Sequence, residues 1–289
     1  FYVNDAGNQI EKFGCSLEAR YLQIFKGDEI EFPEDGYQGE DIKDLAKEYA
    51  DLNGDSLVNV SAEERKKALV DYALPKNIKK MQADMEKYKI FYDKWFFESE
   101  LHKSGAVKAV VDLLTKKGLT YEKDGAVWYK NKEVLTQKLL KEGKSQKYID
   151  NLELKDDVLI RQNGNPTYFT ADIAYHKNKF DRGFTTLIDV WGADHHGHVM
   201  RMKGAMDAIG YDGDKLNVVL MQLVKLVKDG ELVKMSKRTG KAIQLGDLLD
   251  EVPVDSARFL FNTKEANTQM DFDLDLAVSQ DNQNPVYYV

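Results

Sequence analysis

Five consecutive residues near the C-terminal end of the chain are the ones best suited to handling a polyphosphate. Lys234-Met235-Ser236-Lys237-Arg238 places two ammonium groups and a guanidinium around a serine, with Gly240 just beyond. Cleavage of a triphosphate depends mostly on positioning and charge stabilisation, which cationic side chains can supply. Taken alone, a charge run of this kind is more often a solvated surface hairpin. The serine within this segment, the glycine after it and the apolar run before it favour phosphate binding instead.

A second segment, Gly192-Ala193-Asp194-His195-His196-Gly197-His198, suggests two different chemistries. Zinc would need three or four converging ligands, whereas adjacent residues on one backbone usually point apart. Asp-His-His also occurs in metal-dependent phosphoesterases, but these need further aspartate clusters, and none stands out in this sequence. We therefore expect no protein-bound metal here and favour a segment that faces a nucleotide, with an ordinary structural role as the alternative.

Tyr168 and Asp172 are four residues apart, so on a helix they share one face. A carboxylate with a phenol one turn away suits a planar guanidinium, which the acid can bind with two hydrogen bonds. On spacing alone, an exposed aspartate beside a half-buried tyrosine is the more common situation. The pair is a candidate site that needs independent support.

The elements around these residues follow from the hydrophobic pattern. Short apolar runs at 185–191 and 218–227 alternate with helical patterns at 168–179 and 199–209. Strands separated by helices predict a parallel, doubly wound α/β sheet, whose ligands bind at the carboxyl ends of the strands. Gly192 directly follows the first of these strands, and Gln222 is predicted to lie within the second. Both would therefore be near a bound nucleotide.

The rest of the chain reads as mainly helical. The pattern predicts helices over 42–49, from Pro75 through 95, and over 107–114, the last ended by Gly118. Asp124-Gly125 then predicts a tight turn in a β-hairpin that spans 119–129. No internal repeat is visible.

Composition limits the class of protein. The chain has 289 residues, 43% hydrophobic residues, a formal net charge of −8 and a single cysteine, Cys15. It can bury a large core, and it can form neither an internal disulfide nor a cysteine-based zinc cluster. It has no apolar run long enough to span a membrane and no secretion leader, so we expect a cytoplasmic protein without a membrane partner. The acidic balance argues against a general nucleic-acid coat, although a local basic stripe could still hold RNA.

These motifs carry a family resemblance. Residues 234–238 resemble the second signature of class I aminoacyl-tRNA synthetases, which usually ends in serine where this chain has Arg238, and 192–198 resemble the segment that these enzymes place against adenosine. Longer segments resemble arginyl-tRNA synthetases of the bacterial type and keep the family order from one end of the chain to the other. They are residues 2–10, 33–39, 166–176, 271–276 and 284–289.

The resemblance implies an α/β fold, with the Rossmann-like parallel sheet of class I synthetases and a mostly helical insertion. It implies part of the first half of the catalytic domain at 1–40, the insertion with its hairpin at 41–157, the second half with the 234–238 loop at 158–250, and a helical connector at 251–289. The connector would lead to an anticodon-binding domain. The family's first signature, His-x-Gly-His, is absent together with its strand and would lie upstream of Phe1.

The activity implied is that of an arginine–tRNA ligase, which forms arginyl-adenylate from L-arginine and ATP with its bound Mg²⁺, then transfers arginine to tRNA(Arg). Carried over from the family, Tyr168, Asp172 and Gln222 would hold arginine, and Gly192, Asp194, His195 and Met235 would contact ATP. Lys234, Ser236, Lys237 and Arg238 would be catalytic and act on the pyrophosphate side.

Departures from the family pattern leave alternatives open. Residues 131–157 lack an expected Gly-Asp-Asp-Lys-Asp stretch, and the chain is expected to be an incomplete catalytic core, inactive by itself and monomeric. A metal-dependent phosphoesterase built on Asp194-His195-His196 is one alternative. A non-catalytic RNA-binding derivative of a synthetase is another, although the presence of both Lys234 and Lys237 counts mildly against it.

Overall fold

The computed structural model describes residues 1–233 and 244–287, which form a mixed α/β structure. Its helices are α1 Asn8–Lys26, α2 Glu40–Asn53, α3 Ala62–Lys87, α4 Glu98–Lys103, α5 Ala106–Lys116, α6 Asn131–Lys141, α7 Gln146–Asp150, α8 Tyr168–Asp181, α9 His196–Ile209, α10 Leu245–Glu251, α11 Val254–Phe261 and α12 Leu274–Val278. Its strands are β1 Tyr2–Val3, β2 Phe96–Phe97, β3 Thr120–Lys123, β4 Ala126–Tyr129, β5 Asp157–Ile160, β6 Leu187–Gly192, β7 Leu216–Met221, β8 Val224–Lys228, β9 Glu231–Leu232 and β10 Met270–Asp273.

Three helices near the N-terminus, α1, α2 and α3, pack around a core of their own, in which Tyr21 is fully buried. The helix predicted from Pro75 to residue 95 is wrong at both ends. It begins at residue 62, where the side chain of Ser61 accepts a hydrogen bond from the amide of Glu64, and Pro75 lies inside it. It ends at Lys87, and Lys89 adopts a φ of 61° that a helix cannot continue through.

The middle of the chain follows local rules closely. Helix α5 buries one apolar face and ends before Gly118, whose φ of 72° suits the left-handed conformation that follows a helix. Strands β3 and β4 pair as an antiparallel hairpin across Asp124 and Gly125, which have φ values of 52° and 72°. Positive φ at both central residues is the signature of a type I′ turn, as the sequence predicted.

Parallel strands form three separate pairs in the described part of the chain, one of them between β8 and β10. Strand β1 pairs with β2, and β6 pairs with β7 in a register that places Gly192 opposite Met221. Helices α8 and α9 cover one face of the β6–β7 pair, and the largest hydrophobic cluster of the described residues lies beneath them. The other face leaves Ile188 and Val190 more than half exposed. These two side chains alternate with buried neighbours, so they share one face of the sheet.

The third cluster belongs to a three-stranded sheet in the order β10-β8-β9, with α10, α11 and α12 packed against it. The single strand predicted over 218–227 is therefore two strands in two different sheets. Strand β7 ends at Met221, and β8 pairs in parallel with β10. Gln222 lies between them rather than within a strand, because the chain leaves one sheet there. Its backbone N–H donates to the carbonyl of Ala266 at 2.9 Å.

Candidate ligand site at the carboxyl edge of the parallel strands

The start of helix α8 is fixed by hydroxyl contacts to strand β5. Thr167 donates its hydroxyl to the carbonyl of Val158 at 2.8 Å, and the buried Thr170 donates to that of Leu159 at 2.7 Å. Tyr168, the first helical residue, is thereby held with 62% of its surface exposed. Asp172 lies one turn further on, with its side chain 30% exposed. A phenol and a carboxylate therefore share a solvent-accessible helix face, as their spacing predicted.

The carboxylate of Asp172 has a partner that the sequence did not reveal. His198, in the first turn of α9, lies with its Nε2 3.0 Å from Oδ2 of Asp172. The imidazole is 7% exposed, and its Nδ1 has no hydrogen-bond partner among the described residues. Three aromatic rings surround it at centroid distances of 5.2 to 5.7 Å, those of Trp191, Phe169 and Tyr168.

A second histidine holds the backbone of the same helix. His176 contacts the carbonyl of Asp172 through Nδ1 at 2.7 Å and the carboxylate of Asp189, on β6, through Nε2. Lys179 pairs with the same carboxylate. Burial would raise the pKa of Asp189, but the hydrogen bond and charge of His176, together with Lys179, hold that pKa below its ordinary value. Helix α8 is thus tied to strand β6 by an ion-pair network whose members are nearly buried.

The arrangement around Asp172 is suited to a cation with several N–H donors. Within residues 1–233 and 244–287, Oδ1 of Asp172 makes no hydrogen bond or ion pair, while Oδ2 has His198. A carboxylate offers about four lone-pair sites, so both oxygens can still accept from a ligand. The exposed ring of Tyr168 one turn away adds an aromatic face, and guanidinium groups stack on such faces.

Gly192, Asp194 and His195 lie at the carboxyl end of β6, where the sheet architecture predicted a ligand. Asp194 and His195 occupy a 3-10 turn that leads into α9, and their side chains are 82% and 57% exposed. A Cβ at Gly192 would lie 2.5 Å from Oδ1 of Asp194, so any side chain here would displace that carboxylate. All three residues are open to solvent beside Trp191, which in turn contacts His198.

Gln222 follows the neighbouring strand and therefore lies at the same edge of the sheet as Gly192. It lines a cavity of about 510 Å³ together with Tyr88, Leu245 and Asn262. Within the described ranges no hydrogen bond or ring contact joins Gln222 to Tyr168 or Asp172. The structure therefore places Tyr168 and Asp172 on one helix face and Gln222 at the nearby sheet edge, without a direct hydrogen bond between them in the described ranges.

The remaining predicted residues, Lys234, Met235, Ser236, Lys237 and Arg238, lie outside the described residues. The sequence alone leaves metal ligation open for Asp194, His195, His196 and His198. The part of the chain that the structure describes holds no group of three or more His, Cys, Asp or Glu side chains placed to bind a metal ion. None of its helices has both the length and the apolar character that crossing a bilayer requires.

Sequence reasoning missed His198 as the partner of Asp172, and it missed the network of His176, Lys179 and Asp189. The sequence places His198 in a segment expected to face a nucleotide, with metal ligation and an ordinary structural role as the alternatives, and none of these interpretations pairs it with Asp172. The available signal was the aspartate inside an otherwise apolar strand, Asp189, because a buried carboxylate needs a cationic or hydrogen-bonding partner.

Comparison with known proteins gives a consistent result. The family model described as the catalytic domain of class I tRNA synthetases (R) matches residues 37–281. Curated proteins named arginine–tRNA ligase match over the whole chain, one from Ruminiclostridium cellulolyticum at 55% identity and one from Caldanaerobacter subterraneus at 56%. The chain spans about half the length of these relatives, 49% and 48% respectively.

Two solved structures have a fold similar to that of this chain. A Campylobacter jejuni protein assigned as an arginyl-tRNA synthetase superposes with a TM-score of 0.82 at 36% identity, covering 100% of this chain and 59% of its own. The Thermus thermophilus arginyl-tRNA synthetase gives a TM-score of 0.65 at 18% identity, covering 99% and 55%. The second likeness concerns the fold alone.

Proposed function

Because the chain belongs to the family of class I tRNA synthetase (R) catalytic domains, we propose that it carries the arginine- and ATP-binding surface of an arginine–tRNA ligase. The family membership and the α/β fold confirm what the sequence resemblance predicted. The reaction proposed is attack of the arginine carboxylate on the α-phosphate of ATP, with release of pyrophosphate. The arginyl group then passes from the adenylate to a hydroxyl of the terminal ribose of tRNA(Arg), with release of AMP.

The observation that carries the proposal is the exposed Tyr168–Asp172 face beside the carboxyl end of β6. Asp172 is the acid partner proposed for the guanidinium of arginine, because its Oδ1 is unpaired among the described residues and its Oδ2 is fixed by His198. Tyr168 supplies a ring face or a hydroxyl contact. Gln222 is proposed to contribute its side-chain amide from the same edge of the sheet.

ATP is proposed to bind at the neighbouring end of β6. Gly192 lets the nucleotide approach the backbone closely, and Asp194 and His195 present exposed polar groups to it. Magnesium arrives bound to the phosphates of ATP and needs no ligand set on the protein. Lys234, Ser236, Lys237 and Arg238, with Met235, are proposed from their sequence alone to act on the departing pyrophosphate, where cationic charge stabilises the transition state.

The test is arginine-dependent exchange of pyrophosphate into ATP. It should be measured with and without tRNA(Arg), on the 289-residue chain and on a version extended to the length of the relatives. Replacing Asp172 by alanine should raise the KM for arginine on the order of ten- to hundred-fold, since a charge-assisted hydrogen bond is lost, and should leave the KM for ATP unchanged. Asp181→Ala, on the same helix but facing Lys177, is the matched control.

Replacing Lys237 by alanine should lower the exchange rate and leave arginine binding unchanged, because a pyrophosphate contact acts mainly in the transition state. Lys225→Ala, an exposed lysine on β8, is the control for a general loss of charge. Identical defects in the Asp172 and Lys237 variants would refute the proposed division of roles. Absence of exchange in the extended protein would refute the ligase itself. The division of the chain at residues 40, 157 and 250, the monomeric state and the cytoplasmic location stay predictions.

A further inference from the structure

We propose that His198 is a positioning residue for arginine selection, which holds the carboxylate of Asp172 in the orientation that a guanidinium requires. This inference rests on the proposed function, since it assigns a second residue to the same site. The geometry behind it is the 3.0 Å contact between Nε2 of His198 and Oδ2 of Asp172, made by a ring that is 7% exposed.

The surroundings of His198 fix which nitrogen carries the proton. Nε2 faces a carboxylate oxygen, so it must be the donor. Nδ1 is buried and has no partner among the described residues, so a proton there would be a buried N–H without an acceptor, which is costly. The neutral ring with a proton on Nε2 alone satisfies both conditions. His198 therefore donates a hydrogen bond without cancelling the negative charge of Asp172.

Aromatic packing prevents the imidazole from turning away. The rings of Trp191 and Phe169 lie 5.2 and 5.6 Å from it, one from strand β6 and one from helix α8. A side chain locked by such contacts loses its rotamer freedom on folding rather than on ligand binding. Asp172 then presents Oδ1 toward solvent with its torsion already set, which lowers the entropic cost of binding.

The charge balance has a consequence for specificity. A neutral donor leaves one full negative charge to face the ligand, and this favours a guanidinium over an uncharged urea of the same shape. Were Asp172 free to rotate, it could turn its oxygens toward other donors or water, and the preference would fall. His198 thus acts on arginine recognition through Asp172 and has no proposed contact with ATP.

The experiment compares two substitutions in the extended protein. His198→Phe keeps an aromatic ring among Trp191 and Phe169 but removes the donor, whereas His198→Gln places an amide N–H close to the position of Nε2. His102→Gln, a histidine on α4 that pairs with Glu98, is the matched control. Pyrophosphate exchange gives the KM for arginine and for ATP. Calorimetry gives the binding of arginine and of citrulline, its neutral urea analogue, to the same proteins without turnover.

We expect H198F to weaken arginine binding on the order of ten- to hundred-fold, the range for losing a hydrogen bond to a charged group. The KM for ATP should stay within about two-fold, the preference for arginine over citrulline should shrink, and H198Q should recover most of the loss. Unchanged arginine binding in H198F, or equal defects for arginine and ATP, would overturn the assignment. So would a failure of H198Q to recover.

The same measurements distinguish a failure of the proposed function from a failure of the role assigned to His198. If the unsubstituted protein binds no arginine by either measurement, the proposed function fails and takes this inference with it. If it binds arginine and H198F binds equally well, only the role of His198 is refuted. Should H198F not fold, ¹⁵N chemical shifts of His198 in the unsubstituted protein decide the matter. A neutral ring protonated at Nε2 is expected, and a proton on Nδ1 with a bare Nε2 would contradict the proposal.

Discussion

The buried ion-pair network between α8 and β6 offers the sharpest test of what holds the site together. Replacing Asp189 by asparagine removes the negative charge that His176 and Lys179 share, while the side chain keeps its shape. The Asp189 carboxylate is 10% exposed, and the His176 and Lys179 side chains are 3% and 13% exposed. Both ring nitrogens of His176 lie against acceptor oxygens, so a ring with a proton on each nitrogen would donate to both.

The expected loss of folding stability in the Asp189→Asn variant follows from the burial of these groups. Removing one partner of a buried ion pair costs about 3–5 kcal/mol, because the remaining charge is left without compensation. The amide oxygen of asparagine can still accept a hydrogen bond, so we expect a value near the lower limit, about 3 kcal/mol. In a chain of this size that corresponds to a fall in Tm of about 6–12 °C. Thermal denaturation monitored by circular dichroism measures this change in Tm.

The control is Asp112→Asn, which breaks the exposed pair between Lys108 and Asp112 on α5. Exposed pairs contribute up to about 1 kcal/mol, so this variant should denature almost as the unsubstituted chain does. Equal losses in the two variants would refute the argument that burial makes the Asp189 network strong.

The same network should make the folding stability of the chain depend on pH in a known direction. The pKa of Asp189 is lower in the folded chain than its ordinary value, so its contribution is full above that value and is lost as the pH falls through the lowered pKa. The stability difference between the unsubstituted chain and D189N should therefore be full at about pH 6 and shrink below about pH 4. A difference that grew on acidification would contradict the assignment.

Three further predictions test other parts of the fold. Arg65→Met should cost about 3 kcal/mol in urea denaturation, because the nearly buried guanidinium bonds three backbone carbonyls and one carboxylate; a loss below about 1 kcal/mol would contradict this. Gly213→Ala should cost about 2 kcal/mol, since the new Cβ would lie 2.3 Å from a backbone oxygen, whereas Gly197→Ala, with nothing within 4 Å, should be neutral or stabilising. Replacing Ile188 and Val190 together by threonine should reduce the binding of a hydrophobic dye to the 289-residue chain without lowering its Tm, and unchanged dye fluorescence would show that this face is already covered.

Features set by neighbouring residues were predictable from the sequence. The hairpin at Asp124-Gly125 and the end of α5 before Gly118 depend on backbone conformations that few residues adopt, so local chemistry determines them. The start of helix α3 differs from the prediction because Pro75 resembles a first-turn residue but lies inside the helix. A proline costs a helix one hydrogen bond, and the packing of a long amphipathic helix can outweigh that.

Features set by partners distant in sequence were not predictable in the same way. The break at Gln222 depends on β8 pairing with β10, all of whose residues lie more than 40 positions later in the chain. An apolar run that continues through 218–227 gives no local sign that its two halves join different sheets. The spacing of Tyr168 and Asp172 likewise shows that they share a helix face, but it does not show what else faces them.

Strand β6 links the two halves of the proposed site through its alternating residues. Asp189 anchors His176, which holds the backbone of Asp172. Trp191, two residues further and on the same face of the strand, packs on His198, which holds the carboxylate of Asp172. Gly192 ends the same strand at the proposed ATP edge. The position of the proposed guanidinium acceptor relative to the nucleotide therefore depends on one short strand rather than on a loop. Because loops vary more than strands do, this arrangement is suited to keeping a fixed separation between the acid on α8 and the backbone edge on β6.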